Sequence, residues 1–213
     1  LSGEDIWCQG YSEPGAGSDL AALALRAVRD GDAYVLNGSK IWTTHAHFAS
    51  RMFCLVRTSS DGRPQTGITF LLLDMATPGI TVRPITTLAG DHEFNQVFFD
   101  DVRLPVSGRL GAENDGWTVA KHLLTFERGG RYAPALAAHL ALVRDAAEHI
   151  GWLRQPGNTE RLAREEIAVA GLRAIELAAL AGGGPAPTIR PSMLKVLGTE
   201  TSQRIDHIAL ELA

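Results

Sequence analysis

Met52-Phe53-Cys54-Leu55-Val56, the turn cluster Asp61-Gly62-Arg63-Pro64, and then Ile68-Thr69-Phe70-Leu71-Leu72-Leu73 together decide the class of the first half of this chain. Short runs of branched and aromatic residues, closed off by glycine, proline and aspartate, are strands joined by tight reversals. Branched side chains pack well on a pleated surface, and Gly, Pro and Asp supply the backbone angles that a reversal needs. The same pattern recurs outward at Tyr34-Val35-Leu36, between Asp30-Gly31-Asp32 and Asn37-Gly38, and at Gln96-Val97-Phe98-Phe99, beyond Pro78-Gly79. No helical period lies between these runs. The spacing therefore predicts an antiparallel β-barrel or sandwich and excludes the βαβ order of a Rossmann domain.

Beyond Asp115-Gly116 the character turns helical, and a domain boundary is expected near residue 111. The reading is α+β and multi-domain, with a β-barrel or sandwich domain over residues 1–110 and an incomplete α-helical bundle over 111–213. Trp117 to about Ile150 is rich in Ala and Leu but interrupted by Gly129-Gly130 and Pro134. A second helix is expected over Thr159–Ala181, with Leu162, Val169, Leu172, Ile175 and Ala179 on one apolar stripe, ended by Gly182-Gly183-Gly184. A third starts near Ser192, with Leu194, Leu197, Ile205, Ile208 and Leu212 facing inward. Three such stripes need more partners than these helices supply. The first residues hold no Met and the last lie inside a helical pattern, so a piece of a longer protein is expected.

The chain has 213 residues, 45% of them hydrophobic, and a net charge of -4. Its charges are interspersed, so no basic stripe invites nucleic acid or an anionic membrane. No apolar run approaches the roughly 18 residues of a spanning helix, so membrane insertion is not expected. Cys8 and Cys54 form neither a CxxC pair nor a disulfide framework, which suits a reducing compartment and a cytoplasmic protein.

The stretch Trp7-Cys8-Gln9-Gly10-Tyr11-Ser12-Glu13-Pro14-Gly15-Ala16-Gly17-Ser18-Asp19-Leu20 carries the clearest hint of chemistry. Two glycines around an alanine, then a hydroxyl and a carboxylate, allow successive amides to converge on a group lying close to the main chain. A plain glycine-rich turn fits the same letters, and Leu20 stands where a dinucleotide fingerprint needs its third glycine. Further along come Asn37-Gly38-Ser39-Lys40-Ile41-Trp42-Thr43-Thr44, Phe99-Asp100-Asp101-Val102-Arg103-Leu104-Pro105, and Gly111-Ala112-Glu113-Asn114-Asp115-Gly116-Trp117.

In this order and spacing these segments resemble the FAD-dependent acyl-CoA dehydrogenase family, closely over residues 1–150 and more loosely beyond. The resemblance implies that Gln9, Tyr11, Ser12, Gly17 and Ser18 lie along the flavin, with Ser18 shared with substrate. It also implies that Trp42 packs on the isoalloxazine, that Thr44 donates to N5 or its neighbourhood, and that Thr43 belongs to the cofactor-binding set. An aromatic face makes a flat wall, and a nearby hydroxyl stabilises charge as hydride arrives. Without the loop, Trp42 would read as a core tryptophan.

Family members oxidise an acyl-CoA thioester to the 2,3-enoyl-CoA, a carboxylate removing the α-proton while a β-hydride leaves for the flavin. In many members that base lies on a loop near the end of the C-terminal domain, a region expected beyond this chain, whereas a minority, the isovaleryl- and long-chain-type members, carry it on the first helix after the β-domain, just before an arginine. Here Thr125-Phe126-Glu127-Arg128 stands at that place, making Glu127 the candidate base and Arg128 the candidate contact to the CoA nucleotide. The following Gly129 and Gly130 each cost roughly 1 kcal/mol in a helix relative to alanine, which close approach of a ligand would explain. A solvated Glu127–Arg128 surface pair is the alternative.

His45-x-His47 would place two imidazoles on one face of a strand, but no third ligand stands at a telling distance, so no metal is expected. Homotetrameric members carry an Arg-x-x-Phe-Gly-like segment that reaches a neighbouring subunit's FAD. Leu153-Arg154-Gln155-Pro156-Gly157-Asn158 lacks the Phe-Gly, a departure that resembles subunits of bacterial heteromeric enzymes. The resemblance thus implies an oligomer, homomeric or with related subunits and tetrameric in type, with electron-transfer flavoprotein as acceptor. An acyl-CoA oxidase and a non-catalytic structural subunit are the other readings.

Overall fold

The computed structural model describes residues 3–127, 131–182 and 190–213; Arg128, Gly129, Gly130 and the 183–187 part of the linker lie outside the described residues. The chain folds into two compact units, Leu1–His122 and Leu123–Ala213.

The first unit is built on strands β1 (Trp7–Gly10), β2 (Arg26–Asp30), β3 (Ala33–Lys40), β4 (Arg51–Arg57), β5 (Ile68–Asp74), β6 (Ile80–Thr86), β7 (His92–Pro105) and β8 (Arg109–Leu110). They form one sheet in the order β6-β7-β3-β2-β4-β5-β8, with β1 also on β4. Most pairings are antiparallel, as expected, but β1 and β2 both run parallel to β4, and the strand path does not close on itself. β5 takes one edge of β4, so β1 and β2 share the other: β1 opposite Arg51–Cys54 and β2 only at Arg57. The chain between Gly10 and Arg26 therefore has to leave the sheet, and this excursion becomes one side of the site described below.

Burial follows the pleat. Tyr34, Leu36, Met52, Cys54, Val56, Leu71, Val97, Val102 and Leu104 pack into one core, and each large apolar side chain so buried contributes roughly 1.5–3 kcal/mol relative to exposure. Asn37-Gly38, expected as a turn, instead lies inside β3 at a bulge. The register runs Leu36↔Val102 and then Gly38↔Phe99, so β7 carries one extra residue there. Asp101 takes that place with φ 48, and Asn37 clasps it, Asn37 Nδ2 donating to Asp101 Oδ1 (2.9 Å) and Asp101 N to Asn37 Oδ1 (3.0 Å). Side chains 97 and 99 point into the core before the bulge, and 102 and 104 after it.

Helix α1 (Gly116–Glu127) starts where its glycine lies against the β5 backbone; a Cβ on Gly116 would sit 2.5 Å from Phe70 N. α2 (Ala133–His149), α3 (Asn158–Leu180) and α4 (Arg190–Leu212) make up the second unit. Leu136, Leu140, Val143, Leu162, Val169, Leu172, Leu194, Ile205 and Ile208 form its core. On α4 the inward stripe is Leu194, Gly198, Thr201, Ile205 and Ile208, so Leu197, expected inside, is 38% exposed. Gly198 takes the inward place because Tyr132 fills it: a Cβ on Gly198 would lie 2.5 Å from the Tyr132 ring. No described helix is long and apolar enough to cross a membrane.

Candidate functional site

The excursion after β1 and the exit from β3 meet. Ile41 N donates to Ser12 O at 2.9 Å, and the two segments enclose a cavity of about 260 Å³ lined by Gln9, Tyr11, Ser12, Gly17, Leu20, Ile41, Trp42 and Thr44. Six of the sequence-predicted residues are thus brought together; Ser18 is exposed just beside the lining and Thr43 is buried behind it. Sites that engulf a whole ligand run to roughly 300–1,000 Å³, so this cleft has room for part of one.

Each wall has a local cause. Glu13 and Ala16 exchange both backbone hydrogen bonds, 2.8 and 3.0 Å, so Pro14-Gly15 is the tip of a tight turn. That geometry spends the Ala16 amide on Glu13, in place of the converging amides that the glycine pattern suggested. Gly17 lines the cavity, and a Cβ there would meet nothing within 4 Å, so its lack of side chain keeps the opening clear.

On the other wall β3 ends at Lys40, and Trp42 turns with φ 59, leaving its indole 58% exposed and edge-on to Phe94 at 6.1 Å. It is not a core tryptophan. A left-handed backbone at a bulky residue is sparsely populated and persists only where its surroundings hold it. Asn95 holds it here: Thr43 N donates to Asn95 O (2.9 Å) and Asn95 Nδ2 donates to Thr43 O (3.1 Å). The Thr43 hydroxyl is buried with no hydrogen-bond partner among the described residues.

Sequence reasoning missed the ion pair behind the cleft. Lys40 is fully buried, and its Nζ donates to Tyr11 O (3.0 Å) and to Glu13 Oε1 (2.7 Å). The Glu13 carboxylate also accepts from Ala24 N (2.6 Å) and Leu25 N (2.9 Å). Nothing local hints at it, because Lys40 follows the polar run Asn37-Gly38-Ser39.

Other candidates resolve differently. Glu127 is the last residue of α1 and its side chain is exposed; Arg128 lies outside the described residues. His45 and His47 lie in a turn rather than on a strand, since Trp42 and His45 both take positive φ. No group of three or more His, Cys, Asp or Glu with metal-binding geometry exists among the described residues. Both cysteines are free and buried, and burial pushes Cys8 up to about 12 and Cys54 to about 11, far from a reactive thiolate. Arg154 closes a short 3-10 turn, Trp152–Arg154, and is exposed.

A flat aromatic wall, two facing hydroxyls and a side-chain-free rim suit the edge of a planar heteroaromatic cofactor, on a β-unit followed by helices. That is the class of flavin-dependent oxidoreductases with a β middle domain. The family described as acyl-CoA dehydrogenase, middle domain, matches residues 8–102. Acyl-CoA dehydrogenase IpdE1 of Mycobacterium tuberculosis is 36% identical over 98% of this chain and 55% of its own length. FadE34 of the same organism is 40% identical over the whole chain and 30% of its length. The crystal structure of the ChsE4-ChsE5 complex from Mycobacterium tuberculosis superposes with a TM-score of 0.84 at 34% identity, over 98% of this chain and 56% of that one. The chain belongs to the acyl-CoA dehydrogenase family, whose members are FAD-dependent. It spans about half or less of the length of these relatives.

Proposed function

We propose that this chain contributes the flavin-holding middle domain, residues 1–110, and the start of the helical domain, residues 111–213, of a cytoplasmic enzyme that oxidises an acyl-CoA thioester to the 2,3-enoyl-CoA. The observation that carries this reading is that Ser12, Gly17, Trp42 and Thr44, distant in sequence, line one cavity. When bound, FAD supplies the two-electron acceptor. Trp42 offers its exposed face as the wall for the ring, and Ser12 and Thr44 offer hydroxyls along its edge. Gln9, Tyr11 and Thr43 complete the binding set, and Ser18 reaches both cofactor and substrate.

Glu127 takes the α-proton onto its carboxylate, and Arg128 holds the CoA nucleotide, where a planar guanidinium suits phosphate. Electrons then leave to an electron-transfer flavoprotein. A related subunit completes the assembly: Phe-Gly is missing after Arg154, and a structural neighbour is a complex of two differently named chains.

The reading is tested on the full-length protein by anaerobic titration with a panel of acyl-CoAs while the flavin absorbance is followed. At least one acyl-CoA should bleach it. Glu127→Gln should slow bleaching by roughly 10²–10⁴-fold, the usual worth of a general base. Undiminished bleaching in that variant would remove Glu127 from the role, and a panel without effect would sink the reading.

A further inference from the structure

We infer that Lys40 is a positioning residue for the flavin edge: paired with Glu13, it fixes the Tyr11–Ser12 peptide against the Trp42 segment and polarises that peptide toward the cleft. The inference rests on the proposed reading of the cleft and concerns residues that do not line it. Lys40 is 0% and Glu13 8% exposed, a depth at which a charge persists only when well partnered. Both are. The carboxylate receives Lys40, Ala24 N and Leu25 N, so it joins the turn of the excursion to the start of β2. The ammonium spends a second donor on the Tyr11 carbonyl.

That carbonyl belongs to the same peptide as the Ser12 N–H, which makes no hydrogen bond to the described residues. A cation bonded to the C=O of a peptide drains charge from its N–H, making it a stronger donor in a low-dielectric setting. The adjacent residue, Ile41, fixes the same loop from the strand side through Ser12 O at 2.9 Å. One lysine thus sets both the position and the donor strength of Ser12, while Trp42 follows it in the chain. The aim of the pair argues for a role beyond stability: the ammonium takes the Tyr11 carbonyl, whose peptide joins two residues of the cavity lining, Tyr11 and Ser12.

The test uses full-length protein, apo and reconstituted with FAD. Lys40→Met should weaken FAD binding at least tenfold by flavin fluorescence, shift the absorption bands of the bound flavin and make its midpoint potential more negative. Lys40→Arg should restore much of the affinity. Because Lys40→Met leaves a buried carboxylate without its counter-ion, the double variant Lys40→Met/Glu13→Gln, which removes both charges of the pair, is measured beside it and should show the same spectral and potential shifts. Wild-type-like affinity, spectrum and potential in folded variants would overturn the inference while leaving the FAD site standing. Failure of both variants to fold would also overturn it, by assigning the pair to stability alone. A full-length wild type that binds no FAD would overturn the functional reading itself.

Discussion

Asn95 is fully buried, and its amide serves both backbone and imidazole: it clamps Thr43 O, donates to His47 Nδ1 (3.2 Å) and accepts from His92 Nε2 (2.8 Å). A proton on His47 Nδ1 would face the Asn95 amino group, and the His92 ring lies 4.1 Å away. Desolvation, then His92 and His45, hold the His47 pKa below its ordinary 6.5. Just below pH 6.5 the unfolded chain therefore binds more protons than the native one. Stability should rise with pH through that window and fall on acidification until His47 itself is protonated. An NMR titration should place the His47 midpoint below 6.5, and His92→Gln should move it upward; an unmoved midpoint would deny the coupling. Trp42, Ser12 and Thr44 were legible because each sits in a segment with a recognisable order. Asn95 was not, since a polar residue in a strand reads as outward-facing. Nor was the pair of Glu13 and Lys40, whose members are 27 residues apart with nothing local to announce them.

Among the elements, the helices were legible to within a few residues because their apolar period is strong, whereas their polar fastenings were not. Glu176 sits on the inward stripe of α3, 8% exposed, where periodicity alone would place a hydrophobe. Its carboxylate accepts from Tyr132 N (2.6 Å) and Ala133 N (3.1 Å), capping α2 from a neighbouring helix. α2 has no side-chain cap of its own, so these orphan amides depend on it. Glu176→Ala should cost about 1–3 kcal/mol, the range for leaving buried donors unmet, read by urea unfolding followed by circular dichroism. Glu176→Gln, which keeps an acceptor, should cost less. Equal losses would indicate that the charge, and not the acceptor, does the capping.

For the whole molecule, the order of a β-unit and then helices was plain from composition. The mixed pairing was not, because β1 and β2 are short and half exposed and owe their place to β4. Assembly belongs to this scale. If a related subunit completes the enzyme, full-length protein expressed alone should bind FAD weakly, and co-expression with that subunit should give a saturated, active complex by size-exclusion chromatography with light scattering. An FAD-saturated, active homotetramer from the single chain would exclude the heteromer.

The extra residue in β7 also bears on how such chains can change length over time. Asp101 works like an inserted letter that keeps the second half of the strand in phase with the first. Regular pairing without that bulge at full chain length would turn Val102 and Leu104 toward water, whereas the Asp61–Pro64 reversal can lengthen or shorten without disturbing any pleat. Gaps between relatives should therefore gather at the reversals and, inside β7, only at the clasp of Asn37 and Asp101, where dropping one residue restores the regular alternation.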